Sequence, residues 1–361
     1  MFEQFTRGVI EGFYGQPWSW PARQEYAEFL GRHGFSFYIY APKSDEMLRK
    51  RWAEDWTAEH FNLLEKLRAQ CRTHGIAFGI GLTPYGTQSH YGDEERRALV
   101  RKVRQIDRLE PDVLAILFDD VPGITPDLAN LQVAIAHDAV AVSRAHDFLF
   151  CPTYYSDDEV FDHTLGRRPD HYLEDLGERL DRAIQIFWTG PRICSDEYTE
   201  SHLADVTSRL GRKPFLWDNY PVNDGPKMSK HLYIRAATGR SYQLEKTAAG
   251  LAANPMNQAA LSMIPLATLA ASFEQREAYD PARAFEKATR KLCGDELASA
   301  LKEDLPTFHD AGLDTIGASE KHQLIRKYAR FSNVFADEVI RWLEGEFTPT
   351  REVVDEFVGY T

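Results

Sequence analysis

The residues best placed to do chemistry are two adjacent carboxylates, Asp119 and Asp120, at the end of the apolar run VLAILF. An acidic pair means little by itself in a chain with 55 acidic residues; Asp157 and Asp158 form another, in a polar loop where water solvates them. The hydrophobic segment in front sets Asp119-Asp120 apart. A buried strand that delivers two carboxylates to a half-dry cleft incurs desolvation and like-charge costs. Such a cost points to use, the plain alternative being a cap for the next helix or loop. Carboxylates in different surroundings can divide labour between a proton donor and a charged stabiliser, as hydrolysis of a glycosidic bond requires. Neighbours in sequence cannot flank a water as a separated acid and base do. If the strand end bends to bring both into one site, the pair fits a mechanism in which the substrate supplies its own nucleophile.

The elements that must position this pair alternate along the chain. Short apolar runs are predicted as strands at 7–12, 35–42, 76–84, 112–120, 148–152, 184–191 and 214–219, with a weaker eighth at 247–255. Helical patterns fall between them at 22–33, 58–74, 94–109, 126–145 and 199–210. Eight strand–helix units over roughly 270 residues match the ~250 typical of a (β/α)8 TIM barrel; a doubly wound open sheet more often needs five or six strands. From Asp280 onward strand signals stop and helical periodicity continues through PARAFEKATRKL, ELASALKEDL, KHQLIRKYARFSNVFADEVIRWLEGEF and TREVVDEFVGY. The expected organisation is an α/β chain: a catalytic (β/α)8 barrel over 1–275, then a C-terminal α-helical subdomain over 276–361. Exposed faces of those helices are candidates for a homodimer interface.

In such a barrel the C-terminal strand ends build the active site. Those ends carry Gly12 and Tyr14, Lys43, Asp119-Asp120, Tyr155, Trp217 with Asn219 and Asp224, and Asn254. Carboxylates, amides, aromatic rings and one lysine converge there, the groups a sugar site needs.

Composition narrows the alternatives. Of 361 residues, 43% are hydrophobic and 27% charged, enough for a large core and incompatible with global disorder. The net charge of −13 opposes nonspecific attraction to nucleic acid or an anionic membrane surface. No apolar run approaches the ~20 residues of a membrane span, and MFEQFTRGVIEG does not read as a secretory signal. Cys71, Cys151, Cys194 and Cys293 lie far apart with no CxxC or Cys/His cluster, which fits reduced thiols and a cytoplasmic location. GxGxxG, GxxxxGK[ST], HExxH and GxSxG are all missing, so no cofactor or metal is expected.

Seven ordered motifs, GVIEGFYGQPWS, YIYAPK, LFDD, FCPT-x-Y, WTGP, WDN-x4-D and ANP, resemble glycoside hydrolase family 84, the O-GlcNAcase and bacterial β-N-acetylglucosaminidase family. Their order and spacing match from about residue 7 to about 270. The resemblance implies a retaining enzyme acting on a terminal β-linked N-acetylglucosamine of a glycoconjugate, such as a glycoprotein. The 2-acetamido oxygen would attack the anomeric carbon to give an oxazoline. Asp119 would hold and polarise the acetamido N–H, and Asp120 would protonate the leaving oxygen and then serve as base. Gly12 would let backbone approach the sugar, Lys43 would meet a ring hydroxyl, and Tyr155 and Trp217 would wall the acetamido methyl. Asn219 would contact the acetamido region or a nearby hydroxyl, with Asp224 and Asn254 on the O4/O6 side. Residue type alone also allows a tight turn at Gly12, a surface lysine at Lys43 and barrel packing for the aromatics. Loop capping for the asparagines and a turn at Asp224 are likewise open.

Three departures from the family pattern bear on specificity: Ser44 within APKSD, Tyr154 before Tyr155, and Thr83-Pro84 within TPYG. The alternatives are action on bacterial glycans or hyaluronan-like oligosaccharides, a covalent glycosyl-enzyme on another sugar, and a catalytically silent sugar-binding barrel.

Overall fold

A computed structural model describes residues 4–121 and 125–356. Eight parallel strands close into a barrel in sequence order, β1 (Thr6–Glu11), β2 (Phe37–Tyr40), β3 (Ala77–Leu82), β4 (Val113–Leu117), β5 (Asp147–Cys151), β6 (Ile184–Trp188), β7 (Phe215–Asp218) and β8 (Gly250–Ala253). β8 returns to β1 with Gly250 beside Thr6 and Ala253 beside Val9. Six of the eight are buried from end to end or at all but one position, which is why they read as unbroken apolar runs. Each predicted strand is present; β1 and β5 lie one residue earlier than expected, and the other six are shorter at one or both ends.

The crossover helices are α1 (Trp20–Arg32), α2 (Ala58–Thr73), α3 (Asp93–Asp107), α4 (Leu128–Val140), α5 (Val160–Thr164), α6 (Tyr172–Arg179), α7 (Glu200–Leu210), α8 (Leu244–Thr247) and α9 (Ala259–Gln275). Ser19, Thr57 and Thr199 cap α1, α2 and α7 by accepting from the backbone N–H three residues on. The expected helix over 126–145 is shorter than its pattern, ending at Val140 where a turn leads into β5.

The chain continues as α10 (Pro281–Cys293), α11 (Asp295–Leu305), α12 (Ala318–Tyr328), α13 (Val334–Leu343) and α14 (Arg351–Glu356). The long periodic stretch 321–347 is two helices, not one. It breaks at residues 329–333, and the Asn333 side chain caps α13 through the Phe335 N–H. The last residues of TREVVDEFVGY, like the first three of the chain, lie outside the described residues.

These helices share a second core with the barrel's own closing segment. Leu232, Ile234, Met256, Leu261 and Ile264 pack with Phe285, Leu301, Phe308, Tyr328 and Trp342. Trp342 is fully buried and donates to Ser229 O at 3.0 Å. The Glu338 carboxylate on α13 accepts from the Ala260 and Leu261 N–H groups at 3.0 and 2.8 Å, capping α9 from outside. Among the described residues Val334 is the large hydrophobic with high exposure. No helix of the described residues is long and apolar enough to cross a membrane.

Candidate active site

β4 decides where the carboxylates go. Its ladder extends one residue past the strand, Phe118 N–H donating to Cys151 O at 2.9 Å. There the backbone leaves the wall, and Asp120 takes a left-handed φ of +55°, a conformation Asp tolerates better than most residues. Consecutive strand residues point to opposite faces, but with this turn Asp119 and Asp120 both line one cavity at the C-terminal rim, about 450 Å3 when its solvent-open mouth is included. The bend that the paired-carboxylate reading requires is present.

Eight of the nine anticipated site residues line that cavity: Gly12, Asp119, Asp120, Tyr155, Trp217, Asn219, Asp224 and Asn254. Lys43, the ninth, lies just behind it, and its ammonium is ion-paired with Asp119 Oδ2. The side chains of this pair are only 3% and 8% exposed, so Lys43 is no surface lysine. The other oxygen, Asp119 Oδ1, is buried and has no hydrogen-bond partner among the described residues. A buried acceptor left open is costly, and a ligand N–H would satisfy it.

Asp120 is held differently. Its Oδ1 accepts from the Tyr155 hydroxyl at 2.8 Å and its Oδ2 from the Tyr14 hydroxyl at 3.3 Å. Burial, then the Asp119 charge, pushes its carboxyl above the ordinary carboxylate range against the opposing pull of Lys43 and Tyr155. Asp224 accepts from the Tyr14 backbone N–H at 2.7 Å, and burial pushes it up to about 7, with the Asp120 charge adding to the rise.

The rest of the rim is a braced frame. Asn219 Oδ1 accepts from Trp217 Nε1 at 2.9 Å and from the Asn254 amide at 3.0 Å, and its own amide donates to Ile193 O. Asn254 Oδ1 accepts from the Gly12 N–H at 3.2 Å. Both asparagines thus bond to protein, each amide nitrogen carrying a second N–H available to a ligand. A Cβ at Gly12 would come within 2.5 Å of the Trp217 ring, so the glycine is needed by that aromatic wall whatever the sugar requires.

Residue-type reasoning missed Arg49, which donates to the Tyr14 hydroxyl at 2.9 Å, and gave Tyr14 no role. Tyr14 stands in the GFYG motif and was legible; Arg49 had no signal, since it follows the one-turn helix Glu46–Leu48. Tyr14 itself lines the cavity, and Cys151, Thr189, Ile193, Cys194, Val222 and Met228 complete the lining. Burial raises the Cys194 thiol to about 12 and the Cys151 thiol well above its usual value, which disfavours either as a nucleophile. Of the departures, Tyr154 is a buried packing residue whose hydroxyl donates to Gly166 O, and Ser44 is exposed. No group of three or more His, Cys, Asp or Glu among the described residues is arranged to hold a metal ion.

A family model described as beta-N-acetylglucosaminidase matches residues 7–309. The proteins named Protein O-GlcNAcase from Rattus norvegicus and Mus musculus are each 30% identical over 276 residues, covering 74% of this chain and 30% of each relative. The chain therefore spans about 30% of the length of those relatives. A mutant of the O-GlcNAc hydrolase from Thermobaculum terrenum superposes with a TM-score of 0.77 at 29% identity, covering 96% of this chain and 82% of that one.

Proposed function

We propose a reaction for a chain that belongs to the beta-N-acetylglucosaminidase family: hydrolysis of a terminal β-linked N-acetylglucosamine with assistance from the sugar's own 2-acetamido group. The observation that carries this reading is the unequal treatment of two adjacent carboxylates. Asp119 is ion-paired on one oxygen and open on the other, and Asp120 has a raised proton affinity.

Asp119 Oδ1 accepts the acetamido N–H, which increases the electron density on the acetamido oxygen. That oxygen attacks the anomeric carbon as the glycosidic bond breaks, and Asp120 gives its proton to the departing oxygen. The product of this half is a protonated oxazoline, an oxazolinium ion that keeps the N–H proton and whose positive charge lies beside Asp119. In the second half Asp120, now ionised, takes a proton from water as the water oxygen attacks the same carbon and reopens the oxazoline. Trp217 and Tyr155 wall the acetamido group, and Asp224 and Asn254 bind hydroxyls on the O4/O6 side. The names of the rat, mouse and Thermobaculum proteins support an O-GlcNAc-modified protein as substrate, and four unpaired cysteines support a reducing, cytoplasmic setting.

The test is turnover of aryl β-N-acetylglucosaminide against aryl β-glucoside, with NMR on the first sugar released. The acetamido substrate should be hydrolysed at least about 10²-fold faster, as expected when an intramolecular nucleophile is deleted, and the product should appear with retained configuration. Equal rates on the two sugars, or initial inversion, would sink the scheme.

A further inference from the structure

Tyr14 touches two carboxylates with two parts of one residue. Its backbone N–H donates to Asp224 and its hydroxyl to Asp120. The same hydroxyl oxygen accepts from Arg49 Nη2. Arg49 is 3% exposed and is not among the described residues lining the cavity; its guanidinium carbon sits 5.1 Å from the centre of the Tyr14 ring and 5.5 Å from that of Tyr85.

A guanidinium can only donate, so the contact occupies a lone pair of the Tyr14 oxygen and turns its hydrogen toward Asp120. Tyr155 donates to the other Asp120 oxygen. With both tyrosines acting as donors, a proton carried by Asp120 finds no acceptor in either hydroxyl and faces the cavity. We propose that Arg49 is a positioning residue for proton delivery: it fixes Tyr14 as a donor to Asp120, so that the proton of Asp120 points at the leaving oxygen. This rests on the hydrolase reading above and adds to it a residue that never touches the sugar.

The groups facing Asp120 are the Asp119 carboxylate, the Lys43 ammonium, the Arg49 guanidinium and the Tyr14 and Tyr155 hydroxyls, with Asp224 beyond Tyr14. Removing the Arg49 charge leaves Lys43 alone against three carboxylates and raises the proton affinity of Asp120. The alkaline limb of kcat/KM, which reports loss of the acid's proton in the free enzyme, then moves to higher pH.

The experiment compares wild type, Arg49→Met, Arg49→Lys, Tyr14→Phe and the Tyr14→Phe/Arg49→Met double variant. Each is assayed on an alkyl β-N-acetylglucosaminide, which needs the acid, and on an activated aryl glycoside, which does not. Arg49→Met should lower plateau kcat/KM about tenfold on the alkyl substrate, a fraction of the full general-acid contribution. It should leave the aryl substrate within about threefold and shift the alkaline limb up by about one unit. Arg49→Lys should restore the limb, and the double variant should be no worse than Tyr14→Phe alone. Equal losses on both substrates with an unmoved limb, or multiplicative losses in the double variant, overturn the proposal. Should Arg49→Met not fold, an unchanged alkyl-to-aryl ratio in Tyr14→Phe overturns it as well. A wild-type chain that turns over neither substrate overturns the function and this inference together; an active wild type with unaffected variants overturns only the inference.

Discussion

Two kinds of buried carboxylate stand at the strand ends of this barrel. Glu11 and Asp218 are each gripped by an arginine through two of its nitrogens: Arg23 reaches the two Glu11 oxygens at 2.9 and 2.7 Å, and Arg240 reaches the two Asp218 oxygens through Nε at 2.9 Å and Nη2 at 2.7 Å, with Nε also 3.2 Å from the second oxygen. A tyrosine completes each, Tyr38 on Glu11 and Tyr198 on Asp218. Asp119 has a single lysine on one oxygen, and Asp224 has one backbone N–H from Tyr14. The first kind spends its hydrogen-bonding capacity inside the protein and locks helix or loop to barrel. The second keeps capacity in reserve at the edge of a cavity. Burial and charge alone do not separate these roles; the count of donors does.

Substitutions that remove charge without changing shape should pull the two kinds apart. Asp119→Asn should have the largest effect, lowering kcat/KM about 10³-fold on alkyl and aryl substrates alike, since charge stabilisation is needed whatever the leaving group. Urea unfolding should move less than for the arginine-gripped kind, because Lys43, although it loses its ion pair with Asp119, still faces the Asp120 and Asp224 carboxylates and the repulsion between Asp119 and Asp120 is relieved. A large stability loss with preserved turnover would erase the distinction.

Asp218→Asn should do the reverse. It leaves the Arg240 guanidinium buried without its anion, a loss of about 3–5 kcal/mol in unfolding free energy, and the folded fraction should keep its kcat within a few-fold. A mild effect on stability would show that the paired arginine is not what holds this region.

The smallest effect is expected at Asp224, and it depends on pH. Its folded value of about 7 lies above the ordinary 3.8, so the native state binds that proton more tightly than the unfolded chain does. The associated stability is complete below about pH 4 and is lost as pH rises to 7. Asp224→Asn removes this loss. The full shift corresponds to about 4 kcal/mol, reduced because an amide oxygen accepts the Tyr14 N–H less strongly than a carboxylate. A gain of about 1–2 kcal/mol at pH 8, shrinking toward pH 4, is the outcome to look for in thermal melts, accompanied by weaker substrate binding. A gain independent of pH would contradict the assignment.

The barrel was legible because its strands are buried nearly throughout and punctuated by Pro, Gly and acidic residues at the rim. Hydrophobicity alone therefore located Asp119-Asp120 and its partners. α5, α6, α8 and α9 were not anticipated. α9 is apolar on nearly every face, Ala259 to Phe273, and carries an internal Pro265, so the amphipathic period that reveals a helix is missing from it. The division of α12 from α13 was hidden for the opposite reason: the period runs on through 329–333, and the break depends on the Asn333 cap. Arg49 shows the limit at the site itself. Its proposed role arises from a side chain that follows a one-turn helix and meets a tyrosine 35 residues earlier, and no local pattern encodes that meeting.

Glu338 fastens the front of α9 from a helix 78 residues further along, and the turn just ahead of α9 carries Asn254 and Asn257, the latter tied to the backbone of Tyr14 and Gln16. The rim is thereby anchored at a distance. Shortening the chain after the barrel would strip the apolar flank of α9 and loosen the last stave of the ring, which carries Asn254 to the rim of the cavity.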